Sequence, residues 1–564
     1  MKWLSWLTIV LHISLLKYIF LIHHLWLAVV YSGHSKRLSP PRLREMAIQY
    51  YVAVVLLSIL LLVLSNFFSN RRKNLPPAPL ALPIVGHLYL IKNSIHQALA
   101  SLSDKYGPVL YLRFGCRPFL VVSSPAAVED CFTKNDIILA NRPRTMAGDN
   151  FSYDYKSLPL APYGDLWRVQ RRLTVAELFS TLSLQRSSAI REDEIRTVIR
   201  ALFRLSQNQN GNSTVDFNNL GGVFTFNSMM RIMSGERFVK EEEIGGEKGK
   251  EIVNGLREVF FASILATNVC DFFPVLRWFG YRGLEKQMVL VHKKRVEFLN
   301  RILDEFRRRN AGFSENSEGD EMKKKNSPVI ETLLRLQKLE PEIYTNDLIM
   351  SILQMVFVAG TETTSVTIEW AMSLLLSYPE VLHKLRYEID NNVGHKHLLN
   401  ESDLSKLPYL RCVINETLRL YPPAPLLLPH YSLEDCVVAG YDVPKHTTVM
   451  VNAWAMHHDP KVWEEPEKFK PERFEAIVGE EGEGFNYKFV PFGTGRRACP
   501  ANNMGLRLVS LALGAYIQCF DWKNTKEDKI LCATYLSPSI LQKDERLEAI
   551  CTPRKNCLQF LSQL

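Results

Sequence analysis

Cys499 stands in Phe489-Val-Pro-Phe-Gly-Thr-Gly-Arg-Arg-Ala-Cys-Pro-Ala501, where Phe492 to Ala498 reads as a loop turned by Gly493 and Gly495. Pro500 suits a first helical position, because its missing N–H would lack a partner there anyway. The apolar-periodic run Met504 to Tyr516 reads as the helix that follows. Unpaired N–H groups and the positive end of a helix dipole favour a thiolate at such a place. A thiolate of this kind serves as nucleophile, zinc ligand or iron ligand. No second Cys or His stands close at zinc spacing, and the histidines make no local nucleophile–base pattern with it.

Other groups carry chemical potential of their own. In Tyr163-Gly-Asp-Leu-Trp-Arg-Val-Gln-Arg-Arg172, read as a helix, Trp167 and Arg171 are four apart and share a face; taken alone they make a cation–aromatic surface pair. Ala359-Gly-Thr-Glu-Thr-Thr364 lies mid-way along a helical run from about Asn346 to Ser377. Gly and three threonines cost helix propensity there and divert backbone hydrogen bonds. Such local rule-breaking marks a functional site, a kink or a tight helix crossing. Glu416 and Arg419 share a helical face, and Pro471-Glu-Arg-Phe474 supplies a further arginine, Arg473. Tyr421-Pro-Pro-Ala-Pro-Leu-Leu-Leu-Pro-His430 is extended, apolar and proline-locked.

The elements that must position these groups are mainly helical. Ser94 to Tyr106 reads as a helix ended by Gly107-Pro108, and Val109 to Phe114 and Pro118 to Val122 read as two short strands about Gly115-Cys116-Arg117. Asn141-Arg-Pro-Arg144 opens a long loop to Tyr163, of the length that is usually functional or mobile. Residues 185–310 carry apolar side chains at three and four spacing, and Ala311 to Ser327 is a polar linker. The expected class is mainly α with small β-sheets, an α+β arrangement.

Apolar residues make up 47% of the chain, ample for a core, and the ten cysteines form no C-x-x-C pair or disulfide-like framework, so they read as reduced on the cytosolic side. The net charge of +9 is uneven: residues 1–75 carry nine Lys/Arg and one acid (9 − 1 = +8), which leaves +1 for the rest. A basic start on a near-neutral body argues for a membrane anchor and against nucleic acid. Trp3 to Tyr31 contains only Lys17 as a charge, and Ala47 to Phe68 contains none over 22 residues, about 33 Å as a helix against a hydrocarbon core of about 30 Å. Arg71-Arg72-Lys73 then hold that end in the cytosol, and Leu75 to Leu88, proline-rich, makes a semi-rigid spacer. The expected organisation is an extension over 1–45 that is either upstream of a start at Met46 or a second membrane segment or cleaved signal, a transmembrane anchor over 46–70, a basic stop and hinge over 71–90, and one catalytic domain over 91–564. Sequons at Asn150, Asn212 and Asn415 stay unmodified if the body is cytosolic.

Phe492, Gly495, Arg497 and Cys499, at these spacings, resemble the haem-binding loop of the cytochrome P450 family, and the other motifs follow in family order over roughly residues 47–564. The resemblance implies a cytochrome P450 fold, a single haem domain behind the anchor. It implies haem b with Cys499 as axial iron ligand, and Phe492 and Arg497 in the cofactor loop. It implies Trp167 and Arg171 gripping a propionate, with His430 reaching one as well. Glu362 and Thr363 would manage protons and water at the distal oxygen, and Gly360 would leave room for O2. Glu416, Arg419 and Arg473 would form a structural network under the loop. Phe151, Tyr153, Tyr155, Ala359, Ala424 and Leu426 would line the substrate pocket. One position departs: Ala501 stands where the family usually has Gly.

Ala161-Pro-Tyr-Gly-Asp-Leu-Trp-Arg168, Ala439-Gly-Tyr-Asp-Val-Pro444 and Cys551-Thr-Pro-Arg554 look like a plant microsomal subgroup that takes small aromatic secondary metabolites: isoflavonoids, flavonoids, lignans and indoles. The implied activity is an NADPH- and O2-dependent monooxygenase at the endoplasmic reticulum membrane. The alternatives are oxidative coupling, methylenedioxy-bridge formation, or a non-catalytic membrane haem protein. The chain shows no convincing flavin or nicotinamide motif, so electrons would come from a separate NADPH-cytochrome P450 reductase. Arg168, Arg172, Lys488 and Arg496 are its candidate contacts.

Overall fold

The structure is a computed structural model that describes residues 49–50, 52–53, 74–91, 94–208, 213–261, 268–310, 327–475, 487–525, 533–537 and 540–564. The expected extension over 1–45, nearly all of the expected anchor over 46–70, and all but the last residue of the expected linker over 311–327 lie outside the described residues. The chain divides into Met1–Asn74 and Leu75–Leu564, and the second unit holds every candidate site residue.

That unit is helical with small sheets. Helix α1 (Ile95–Tyr106) leads into a hairpin of β1 (Val109–Phe114) and β2 (Arg117–Val122). After α2 (Pro125–Phe132), α3 (Met146–Phe151) and α4 (Asp165–Thr174) come α5 (Ser188–Asn208), β3 (Ser213–Asp216), α6 (Phe217–Ser234), α7 (Glu247–Phe260) and α8 (Leu284–Asn310). Then α9 (Asn346–Gly360), α10 (Glu362–Ser377) and α11 (Pro408–Leu420) precede β4 (His430–Tyr431), β5 (Cys436–Val438), β6 (Tyr441–Val443) and β7 (Thr448–Val451). Finally α12 (Asn502–Cys519) runs into β8 (Phe520–Asn524), β9 (Ala533–Ser537), β10 (Ile540–Lys543) and β11 (Glu548–Pro553). The largest sheet has the order β1-β2-β7-β4, with β2 parallel to β7 through Phe119↔Thr448 to Val122↔Val451. A second sheet has the order β3-β11-β8.

The core forms around helices that are enclosed on all sides. Helix α6 starts at Asp216, whose carboxylate accepts from Asn219 N, and ends at left-handed Gly235. Nearly all of its side chains are buried, as in a helix enclosed by others. Residues Asn346–Ser377 are long and apolar enough to cross a membrane, at mean hydropathy 1.3, yet 78% of that window is buried within the protein. They form the central core helices.

Three sequence expectations shift. The run from Asn346 to Ser377 is two helices, broken at Thr361 (φ −98°, ψ −68°). The threonines cause this by bonding backwards: Thr361 Oγ1 donates to Phe357 O at 2.6 Å, Thr363 Oγ1 to Ala359 O at 2.7 Å and Thr364 Oγ1 to Gly360 O at 3.2 Å. Helix α12 begins at Asn502 with Ala501 as N-cap, so Pro500 precedes the helix and does not open it. The long loop after Asn141 contains α3, capped by Thr145, whose hydroxyl accepts from Gly148 N. Beyond α3, Tyr153, Asp154 and Tyr155 have φ of 51°, 55° and 60°, three consecutive left-handed residues. Such a turn costs about 1–2 kcal/mol per residue. Tyr155 Oη holds it, donating to Asp149 and accepting from Thr145 N, both at 3.0 Å.

Candidate active site

The Cys499 loop is closed on itself. Cys499 N donates to Phe492 O at 2.9 Å and Ala498 N to Gly495 O at 3.0 Å. Gly495 is required twice over: its φ is +68°, and a Cβ there would lie 2.6 Å from Asp136 Oδ1. The backbone N–H of Ala501 donates to the Cys499 sulfur. Burial pushes the thiol up, and that N–H together with the Arg171 charge opposes the rise. Ala501 itself has φ −103°, so its methyl imposes no backbone strain where the family pattern has Gly.

Beside this loop lies a cluster of positive charge. Arg497 donates to Ala140 O (2.7 Å), Leu158 O (3.2 Å) and Ala161 O (2.6 Å), and its guanidinium sits 4.5 Å from the centroid of the buried Trp167 ring. Arg142 donates to Pro159 O, Leu428 O and Pro429 O at 3.1, 2.8 and 2.7 Å. Arg171, on α4, faces the same region. Burial, then mutual repulsion, pushes Arg142 down to about 9 and Arg497 down to about 10. Among the described residues none of Arg142, Arg171 and Arg497 has a carboxylate partner, since every bond that Arg142 and Arg497 make ends on a neutral carbonyl. Arg142 is buried and Arg171 and Arg497 half-buried, and positive charge this concentrated and partly withdrawn from water favours anions beside it. The two propionates of haem b are of that type, so the residues fit the group. Burial also drives His430 well below its usual value; its Nδ1 donates to Leu139 O at 2.9 Å. His430 can therefore hold an anion only by taking up a proton at Nε2, which the anion itself would favour. Sequence reasoning passed over Arg142. Its only signal was its place in Asn141-Arg-Pro-Arg144.

At the break between α9 and α10, adjacent residues serve different sides. Glu362 is 3% exposed and accepts from Arg257 Nε at 3.1 Å and Gln542 Nε2 at 2.6 Å. Thr363 and Ala359 face an opening instead: at mid-run Ala359 is exposed, and Val358, Gly360 and Thr363 beside it are half-buried. Gly360, expected to leave room for O2, directs its missing side chain at Met229, where a Cβ would lie 3.0 Å from the sulfur. It permits α6 to approach. Arg257 and Gln542 were not legible, since each comes from a segment far from Glu362 in sequence.

The structure joins Glu416, Arg419 and Arg473. Glu416 accepts from Arg419 Nε (2.7 Å) and Nη2 (2.9 Å), from Arg473 Nε (2.9 Å) and from Lys470 N (2.9 Å). Arg419 also donates to His457 O at 2.6 Å and Lys468 O at 3.2 Å, and both Glu416 and Arg419 are fully buried.

The expected pocket residues divide. Ala424 is half-buried, whereas Leu426 packs into the core beside Leu110, Leu112 and Phe119 of the β1–β2 hairpin. Neighbouring Leu428 is 47% exposed, so the chain turns Leu428 outward and Leu426 inward, aided by left-handed Leu427 (φ 51°). Phe151 is enclosed among Met146, Cys270 and Met288, under the Arg295 guanidinium at 4.9 Å. Tyr153 stays half-buried against the main core, and Tyr155 is used up in holding its own turn. Of the expected reductase contacts, Arg496 pairs with Asp136 at 2.7 Å and Arg168 with Asp165 at 2.7 Å, while Arg172 and Lys488 are exposed.

The family model described as Cytochrome P450 matches residues 76–549. A cytochrome P450 of Catharanthus roseus is 44% identical over 514 residues, 91% of this chain and 98% of that protein. An isoflavone 3'-hydroxylase of Medicago truncatula is 42% identical, covering 85% of this chain and 93% of its own. A (+)-piperitol/(+)-sesamin synthase of Sesamum radiatum is 40% identical, covering 91% and 98%.

Proposed function

Because the chain belongs to the cytochrome P450 family, we propose that it is a membrane-anchored haem-thiolate monooxygenase that hydroxylates a small aromatic plant metabolite of isoflavonoid, flavonoid, lignan or indole type. The observation that carries this reading is the carboxylate-free cluster of buried Arg142 and half-buried Arg171 and Arg497 beside the Cys499 loop. Bound there, haem b supplies O2 activation, so that one oxygen atom enters a C–H bond and the other leaves as water at the cost of two electrons and two protons.

The chain's own residues would do the rest. Cys499 is the iron ligand, with the Ala501 N–H on its sulfur limiting its basicity. Trp167, Arg171 and Arg497 orient the propionates, with His430 joining them in its protonated form. Thr363 Oγ1, its proton committed to Ala359 O, offers its lone pairs to the opening and orders water there. Glu362 holds the acidic end of the proton path, which Arg257 and Gln542 gate. Such positioned transfer is worth about 10²–10⁴-fold. Ala359, Ala424 and Tyr153 bound the substrate space. Two electrons come from NADPH through a separate reductase that docks on the cysteine side, at Arg172, Lys488, Arg168 and Arg496. A single-pass anchor over 46–70 holds the protein at the endoplasmic reticulum membrane, with the domain after residue 90 in the cytosol.

The carbon-monoxide difference spectrum of the reduced protein tests this, beside Cys499→Ser. A strongly red-shifted Soret band that the variant lacks is expected. A band at the position of imidazole-ligated haem in the wild type would overturn the assignment. A second reading keeps the fold and replaces hydroxylation by oxidative coupling or methylenedioxy-bridge formation. A relative 40% identical that is named a synthase favours it, and product analysis separates the two.

A further inference from the structure

Three buried polar atoms without a hydrogen-bond partner gather around Phe151: Tyr153 Oη, His292 Nδ1 and Gln354 Oε1. They come from three elements, the left-handed turn, α8 and α9. The Tyr153 and His292 rings meet edge to face with centroids 5.1 Å apart, and the Phe151 and His292 rings stand 6.0 Å apart. Gln354 Nε2 donates to Phe151 O at 2.7 Å, which fixes the carboxamide and leaves Oε1 as a pure acceptor. Buried polar groups are nearly always paired, and one unpaired atom costs about 1–3 kcal/mol. Three in one contact group, one of them on a turn that already bears three left-handed residues, need a compensating partner.

We propose that Tyr153, His292 and Gln354 recognise a hydroxyl group on the aromatic substrate, at the end remote from the carbon that is oxidised. This inference rests on the monooxygenase reading and narrows its substrate class. The donor–acceptor pattern selects the group. Gln354 Oε1 needs a donor, which excludes methyl ethers, methylenedioxy rings and carboxylates. Burial pushes the Tyr153 phenol up to about 12, so it stays O–H and can donate. Burial and the Arg295 charge lower His292, which stays neutral. A substrate phenol has one donor and two acceptor lone pairs, so it gives to Gln354 Oε1 while it receives from Tyr153 Oη and from His292 in its Nδ1–H tautomer. Position agrees: Gln354 lies one helical turn before half-buried Val358 and exposed Ala359. It precedes Gly360, where α9 ends, by six residues, about 9 Å along that helix, and Thr363 lies beyond the break at Thr361. That span suits a bicyclic aromatic bearing an aryl ring, anchored by its hydroxyl at one end and oxidised at the other. The turn that carries Tyr153 must shift to admit the group, and the new bonds offset the cost of its left-handed residues.

The test uses the holoenzyme and spectral binding titrations. Each monohydroxyisoflavone is paired with the methyl ether of the same hydroxyl. Wild type should prefer at least one hydroxyl form by about 10–100-fold, as an acceptor left buried and unpaired by the ether would require. Gln354→Leu and Tyr153→Phe should each bring that ratio toward one, chiefly by weakening the phenol. The reduced carbon-monoxide band, measured on every variant, reports a folded haem site independently of substrate. Tyr153→Phe removes an atom that has no partner, so it keeps the test open if Gln354→Leu does not fold. A ratio equal in wild type and variants, as an internal water alone would produce, overturns the inference and leaves the monooxygenase reading intact. No shift from any compound, with the thiolate band present, overturns both the inference and the isoflavonoid class. Loss of the thiolate band in the wild type would instead strike the underlying reading.

Discussion

Replacing Glu416 by Ala should be among the most damaging single changes in this protein. Four donors converge on its carboxylate, three from Arg419 and Arg473 and one from the Lys470 backbone. Without it, Arg419 keeps a full charge at 0% side-chain exposure with only the carbonyls of His457 and Lys468 for partners. Stranding a buried charge costs about 3–5 kcal/mol, a third or more of the roughly 5–15 kcal/mol by which proteins of ordinary stability stay folded. Arg419 also fastens α11 to Lys468, and Arg473 ties its own segment back to Glu464, so the segment leading to the Cys499 loop should loosen too. Denaturant unfolding and the amplitude of the thiolate–carbon monoxide band should fall together in Glu416→Ala. Glu416→Gln, which keeps the shape and one acceptor, should fall by less. Glu416→Leu combined with Arg419→Met should recover part of the loss, because no unpaired charge remains. A loss under about 1 kcal/mol in Glu416→Ala, or a double variant worse than the single one, would refute the argument from buried charge.

Other outcomes follow from the same structure. Gly495→Ala forces a left-handed alanine whose Cβ meets Asp136 Oδ1, so it should cost at least about 1–2 kcal/mol and release haem, read as loss of the thiolate band on mild heating. His96, held down to about 3, His458, held down to about 4, and buried His457, held well below its usual value, all take up protons more readily unfolded than folded. Stability is thus fully present above about pH 6.5 and lost as pH falls toward these values, by up to about 1.4 kcal/mol per pH unit for each histidine; denaturant midpoints at about pH 7.5 and 5.5 check it. Arg257→Leu removes an ion-pair partner of Glu362 and should lower product formed per NADPH consumed by about 10-fold or more, with the thiolate band retained.

Much of the site was written in short motifs. Cys499 with its two glycines and Glu416 with Arg419 each act through neighbours a few residues away, where helical or turn spacing decides what can touch, whereas the guanidinium on the Trp167 ring is that of distant Arg497 and not of Arg171. The groups that escaped notice act across the chain. Gln542 reaches Glu362 from β10, Arg142 reaches Leu428 and Pro429, and Gln354 reaches Phe151; nothing local marks any of them. The break at Thr361 was signalled by its threonines, but not its consequence, that Glu362 and Thr363 part company. Leu426 and Leu428 are both leucines in a proline-locked stretch, and only the left-handed Leu427 between them decides which is buried.

The parallel pairing of β2 with β7 bears on how the chain is made. The Phe119-Leu-Val-Val122 edge emerges from the ribosome early, and its partners, Thr448 to Val451, follow 329 residues later by the register Phe119↔Thr448 (448 − 119). At about 5–20 residues per second, that edge waits roughly 15–65 s with its hydrogen-bonding groups uncovered. An apolar strand exposed for so long is open to pairing with another nascent chain. Yield in a heterologous host should therefore respond to translation speed and chaperone supply even where the finished protein is stable.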